Sequence, residues 1–262
     1  MGKTYSSGLI VSPAEIQHNM AMFVAMAKLL RAVEHPSSFD WRSIEGEDFT
    51  TPIRDQGKCS SSVAFATIAL MESMIKIANQ DPKLQPDLSE AYLFPRGGGK
   101  CESGAQFGRM LTAAESGVCD ELCCPYAGDW KPCPDFKSRL TAITFSETIF
   151  SPKQAKAHIA STGPLMSGMA VYADFFEHDG GIYSQDYGNF VGNHAILIVG
   201  YDEGEDCWIG KNSWGLTWGE GGWFRIKQGE SGIGSAFPFY SAAIGLSPVL
   251  AFPPSPDIAA PI

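Results

Sequence analysis

Three short stretches carry side chains able to do covalent chemistry. Gln56-Gly57-Lys58-Cys59-Ser60-Ser61-Ser62-Val63-Ala64-Phe65 puts a hydroxyl at the mouth of an apolar helix. Gly192-Asn193-His194-Ala195 sets a histidine just before a run of aliphatic residues, and Lys211-Asn212-Ser213-Trp214-Gly215 sets a carboxamide before a tight turn. A nucleophile at a helix N-terminus feels the positive end of the macrodipole, which favours its anion. A histidine can take its proton, and a carboxamide can hold the imidazole in one tautomer. Taken singly, each residue has a blander reading. A lone histidine beside an apolar strand is usually a satisfied core residue, and an asparagine before Ser-Trp-Gly is usually turn chemistry.

The elements that must position these groups follow from periodicity. Val63, Ala64, Phe65, Ile68, Leu70, Met71, Met74, Ile75 and Ala78 make the helix within Gly57–Asn79 apolar around most of its circumference, so it belongs inside a lobe. Ser89-Glu90 restarts a helix, and Phe107–Glu115 reads as a short one. After about Thr141 the texture becomes strand-like, at Gly163–Val171, His194–Tyr201, Cys207–Lys211 and Gly222–Lys227. Helices first and strands afterwards predict an α+β protein with segregated lobes. Upstream, residues 1–11 read as a disordered start. Ser12-Pro13-Ala14-Glu15 opens an amphipathic helix with a cap and a first-turn proline, and Pro36 ends its pattern. Lys28 and Arg31 interrupt its apolar run, which argues for a helix that docks on something rather than a signal peptide.

Together with Phe39-Asp40-Trp41-Arg42, the three stretches resemble the papain-like cysteine peptidases over roughly residues 37–245. In that family the histidine and asparagine follow the nucleophile by about 130–150 residues, a spacing that His194 and Asn212 keep from Ser62. The resemblance implies a two-lobe fold, with a helical lobe at about 37–140, a β-barrel-like lobe at about 141–245 and a cleft between them. It implies that His194 is the base, that Asn212 orients it, and that Gln56 serves the oxyanion, with Trp214 roofing the His194–Asn212 contact. It pairs Cys59 with Cys101. It lines the substrate cleft with Ser103, Gly104, Ala105, Gly168, Gly192, Asn193 and Trp214, with a roomy apolar pocket for the second residue before the scissile bond. No metal or cofactor is implied. The expected partners are a peptide or protein substrate and the chain's own residues 1–36, acting as a short inhibitory pro-segment.

One position departs from the family. Ser62 stands where the resemblance expects the catalytic cysteine. A hydroxyl is far more basic than a thiol, so the ion pair with imidazole does not form and the chain as written is a very poor peptidase. Ser62 either replaces the thiol of a working enzyme or is natural, as in silicateins and certain malarial surface antigens of this family. In the second case the protein is a peptide-binding module or a serine-nucleophile variant.

Composition narrows the surroundings. Among 262 residues, 19 Lys and Arg face 29 Asp and Glu, and a net charge of −10 argues against nucleic acid or anionic membrane as the main partner. No apolar run is long enough for a membrane span. Seven cysteines point to an oxidising, extracytoplasmic setting. Cys119, Cys123, Cys124 and Cys133 lack paired Cys-x-x-Cys knuckles, so local disulfides are expected there rather than zinc, and Cys207 is expected as a free thiol. The proline-rich 246–262 is expected to be an extended tail.

Overall fold

The computed structural model describes residues 5–29 and 34–245; the expected tail at 246–262 lies outside them. Helix α1 (Pro13–Leu29) begins as its sequence requires, with the Ser12 hydroxyl accepting from the Glu15 amide at 3.2 Å. It docks through Phe23, whose ring meets Phe150 edge-on at 5.6 Å, and through the Asn19 amide, which donates to the Ala236 carbonyl. Residues 5–11, expected to be disordered, are instead an extended segment paired to the rest of the chain. The bonds that order them come from Asn193 and Ala105, far away in sequence.

Strand β1 (Ser38–Asp40) precedes helix α2 (Ser62–Ala78), the axis of the helical half. Ser62 through Lys76 are all buried, and the Thr67 and Ser73 hydroxyls donate back to the carbonyls of Val63 and Ala69, which lets them sit in an apolar interior. Helices α3 (Glu90–Arg96) and α4 (Phe107–Glu115) pack against it. The sheet follows in β2 (Ile143–Ile149), β3 (Leu165–Tyr172), β4 (Ile182–Tyr183), β5 (Phe190–Asp202), β6 (Cys207–Lys211), β7 (Trp223–Lys227) and β8 (Phe239–Ile244). Its order is β2-β8-β3-β5-β6-β7-β4, with β1 paired to β5, and it does not close. The lobes are less segregated than the sequence suggests: β1 reaches back into the sheet, and helix α5 (Pro152–Ser161) lies among the strands.

Helical half and sheet are locked together by a buried ionic cluster on α2. Glu72 accepts from the Thr51 hydroxyl at 2.6 Å and the Leu88 amide at 2.9 Å, while the Lys211 ammonium donates to the Thr51 carbonyl at 2.6 Å. Burial pushes the Glu72 carboxyl up and the Lys211 amine down, and the charge of each opposes the shift of the other. Removing one partner strands the other. Glu72→Ala is therefore expected to cost about 3–5 kcal/mol in denaturant unfolding, and Glu72→Met with Lys211→Met together to recover most of it. A double variant that loses as much as the two single variants added together would show that the pair does not couple.

Candidate active site

Ser62 is the first residue of α2, so its side chain sits where the unpaired N–H groups of the helix converge. No acidic residue occupies that first turn to offset their field. His194 lies near the start of β5, and antiparallel pairing of β5 with β6 sets Leu197 opposite Lys211. The residue after Lys211, Asn212, is thereby carried alongside His194. The imidazole Nε2 and Asn212 Oδ1 are 2.8 Å apart, and the Ser213 amide donates to the same Oδ1 at 2.7 Å. The Ser213 N–H can only donate, which identifies the shared atom as the carbonyl oxygen. The proton therefore resides on Nε2, and Nδ1 keeps its lone pair. Nδ1 is buried with no hydrogen bond among the described residues. The Ser62 hydroxyl accepts from the amide of Ala195, next to this histidine, at 3.3 Å.

Trp214 covers the pair, its ring centroid 4.6 Å from that of His194. Gln56 is buried beside them; its Oε1 accepts from the Ser213 hydroxyl at 2.7 Å and its Nε2 donates to the Cys59 carbonyl at 2.8 Å. One of the two N–H bonds of that amide is thus engaged, leaving one for another acceptor. The Cys59–Cys101 disulfide closes the loop around this turn, and the Ser60 amide donates to the Cys101 carbonyl. A second disulfide joins Cys123 to Cys133, whereas Cys119 and Cys124, also expected in local bridges, are free. Burial raises the thiols of Cys119, Cys124 and the free Cys207, which keeps them unreactive.

The cleft is filled by residues 5–11. Tyr5 stacks on Trp214 at 4.8 Å, and the Trp214 indole donates to the Ser6 carbonyl. The amides of Gly8 and Leu9 donate to the Asn193 carbonyl. Ala105 brackets Leu9 in a parallel bridge, donating to the Gly8 carbonyl and accepting from the Ile10 amide. Gly104, at φ +89°, has no room for a side chain: a Cβ there would lie 1.9 Å from the Gly8 carbonyl oxygen. Leu9 packs where a Cβ on Gly168 would meet it at 2.4 Å, and the Ser7 hydroxyl lies over Gly192. Ser103 is the exception among the expected lining residues; it is exposed in a turn, its amide donating to Lys100. The sequence reading missed Phe237, which joins Leu9 in crowding this position, 2.6 Å from where a Cβ on Gly168 would stand.

Residues 35–240 match the family model for papain family cysteine proteases. The chain belongs to that family. It is 33% identical over 225 residues to cathepsin B-like CP3 of Giardia intestinalis, covering 77% of this chain and 73% of that protein. It is 34% identical over 215 residues to pro-cathepsin H of Bos taurus, covering 77% and 63%. Among solved structures, xylellain of Xylella fastidiosa superposes with a TM-score of 0.70 at 20% identity over 93% of this chain and 97% of that one. Procathepsin B S9 of Trypanosoma congolense gives 0.69 at 21% over 92% and 83%. These two likenesses establish the papain-like fold. Among the described residues, no helix is long and apolar enough to cross a membrane.

The covered site in this papain-family chain has a pH signature. Burial pushes His194 down to about 4 from its ordinary 6.5, only partly opposed by its bond to Asn212. An opened, hydrated histidine takes a proton near 6.5 that the closed form refuses. The contribution of this group to folding stability is therefore full above pH 6.5 and lost progressively as pH falls toward 4, by up to roughly tenfold per unit in the folding equilibrium. Exchange protection of the slowest amides of the sheet around His194, such as Ile196 and Ile198, should fall accordingly, and His194→Phe should flatten the trend. Protection that stays constant across this window would remove the link.

Proposed function

We propose that this chain is a zymogen-like endopeptidase in which residues 1–36 form the inhibitory pro-segment of a peptidase domain at 37–245, silenced further by Ser62 at the nucleophile position. The observation that carries the reading is the orphaned Nδ1 of His194, buried while Nε2 is bound to Asn212, in the residue just before Ala195, whose amide donates to the Ser62 hydroxyl. A group so placed is desolvated without a partner, which is costly unless the site uses it. With a thiol at position 62, Nδ1 takes the proton and the thiolate attacks a peptide carbonyl. The amine leaves with a proton from the imidazole, and water releases the acyl group. The developing oxyanion accepts from the free N–H of Gln56 and from the backbone N–H of residue 62, which opens α2.

Leu9 supports an apolar preference one pocket away from the reacting bond. It is almost fully buried against Gly168 and Phe237, so a leucine-sized substrate side chain suits that pocket. In the Ser62→Cys protein, Gln56→Ala is expected to lower kcat by roughly 10²–10³, the usual cost of losing one oxyanion donor. Unchanged turnover would remove Gln56 from the mechanism.

A further inference from the structure

Ser61 holds the N-cap position of α2 but does not cap it. Its hydroxyl is instead 2.7 Å from the Tyr126 hydroxyl, which donates to the Gln56 carbonyl at 2.9 Å. With the Tyr126 proton on Gln56, the Ser61 hydroxyl is the donor of the other bond. One phenol oxygen thus ties the backbone of the candidate oxyanion glutamine to the residue preceding Ser62.

The phenol is itself fixed from several directions. Tyr126 lies in the loop closed by Cys123–Cys133; its amide donates to Glu121 at 2.7 Å, and its carbonyl accepts from the Trp130 indole at 2.8 Å. Its ring meets Phe65, in the first turns of α2, edge-on at 5.0 Å. Burial raises the hydroxyl to about 12, so it keeps its donor proton throughout the neutral range.

We infer that Tyr126 is a positioning residue: its hydroxyl, braced by the Cys123–Cys133 loop, sets the spacing between Gln56 and the nucleophile turn, and so the geometry of the oxyanion site. The inference rests on the function proposed above. Without that hydroxyl the Gln56 carbonyl loses its donor. Ser61 retains only its long 3.4 Å contact to the Cys59 carbonyl, and the two stretches are free to drift. Because displacements of about 1 Å cost on the order of a hundredfold in a preorganised site, the effect should be visible in turnover.

Two measurements test it on the full chain. In the Ser62→Cys protein, Tyr126→Phe keeps the ring and removes only the oxygen. Peptide hydrolysis should show kcat lowered by roughly ten- to a hundredfold at unchanged KM, with the rate and pH profile of iodoacetamide alkylation unaltered, since alkylation needs the thiolate but no oxyanion site. Unaltered kcat, or alkylation falling in step with hydrolysis, would overturn the positioning role. In the Ser62 protein, the Gln56 side-chain amide should change its NMR shift or broaden in Tyr126→Phe and stay in place in a Phe65→Leu control; an unmoved signal in Tyr126→Phe also overturns it. If Ser62→Cys hydrolyses nothing even with Leu9→Asp opening the cleft, the peptidase reading fails, and the Gln56 signal still decides the role of Tyr126.

Discussion

Replacing Ser62 by cysteine is expected to convert a silent protein into a peptidase, with a gain in kcat of roughly 10⁶, the loss seen when a triad nucleophile is removed from other hydrolases. The size of the gain follows from proton affinity. The N-terminus of α2 and a neighbouring imidazole can bring a thiol to its anion near neutral pH, but a hydroxyl remains protonated there. The other parts are already in place: His194 is held in one tautomer by Asn212, Trp214 covers the pair, and Gln56 keeps a free N–H. Hydrolysis of a peptide with leucine two residues before the cut is the measurement, made with Leu9→Asp also present so that residues 5–11 do not block the cleft, and with the Ser62 form of the same protein as the blank. A Ser62→Cys protein that binds such a peptide without cutting it would mark the chain as a recognition module.

The second large effect concerns access. In the Ser62 protein, Leu9→Asp is expected to raise the affinity of the cleft for an added peptide by more than about a hundredfold. Burying a leucine side chain stabilises the closed segment by about 1.5–3 kcal/mol, and a carboxylate in the same place adds an unpaired charge against Gly168 and Phe237. The backbone bonds from Gly8 and Leu9 to Asn193 are weakened with it. Loss of the Tyr5–Trp214 stack offers an optical readout of the same opening, through indole fluorescence. Peptide affinity unchanged by Leu9→Asp would mean that residues 5–11 do not compete with substrate.

What could be read in advance, and what could not, divides along physical lines. His194, Asn212 and Trp214 were legible because each occurs in a short stretch with its neighbours fixed by local geometry, and the structure brings them together. Helix α4 and strand β6 end at the residues their apolar patterns define. The cleft segment was not legible. Tyr5 to Val11 has no period of its own, and long-range bonds to Asn193 and Ala105 hold it. Strand β2 escaped because it is an edge strand with most side chains exposed and a register irregularity between Ile143 and Phe145. Helix α5 did carry a signal, Ser151 before Pro152, the same start that marks α1; the Ser151 hydroxyl caps the Gln154 amide. Cysteine pairing is set by three-dimensional approach, so nothing local distinguished the bridged Cys123 from the free Cys124.

The rate of iodoacetamide alkylation at position 62 of the Ser62→Cys protein, followed from pH 4 to 10, bears most directly on whether the imidazole and the helix mouth act on one atom. The account predicts a thiol already reactive below pH 7, with that acid limb abolished by His194→Ala. A single titration near the ordinary thiol value of about 8.5, the same with and without His194, would contradict it.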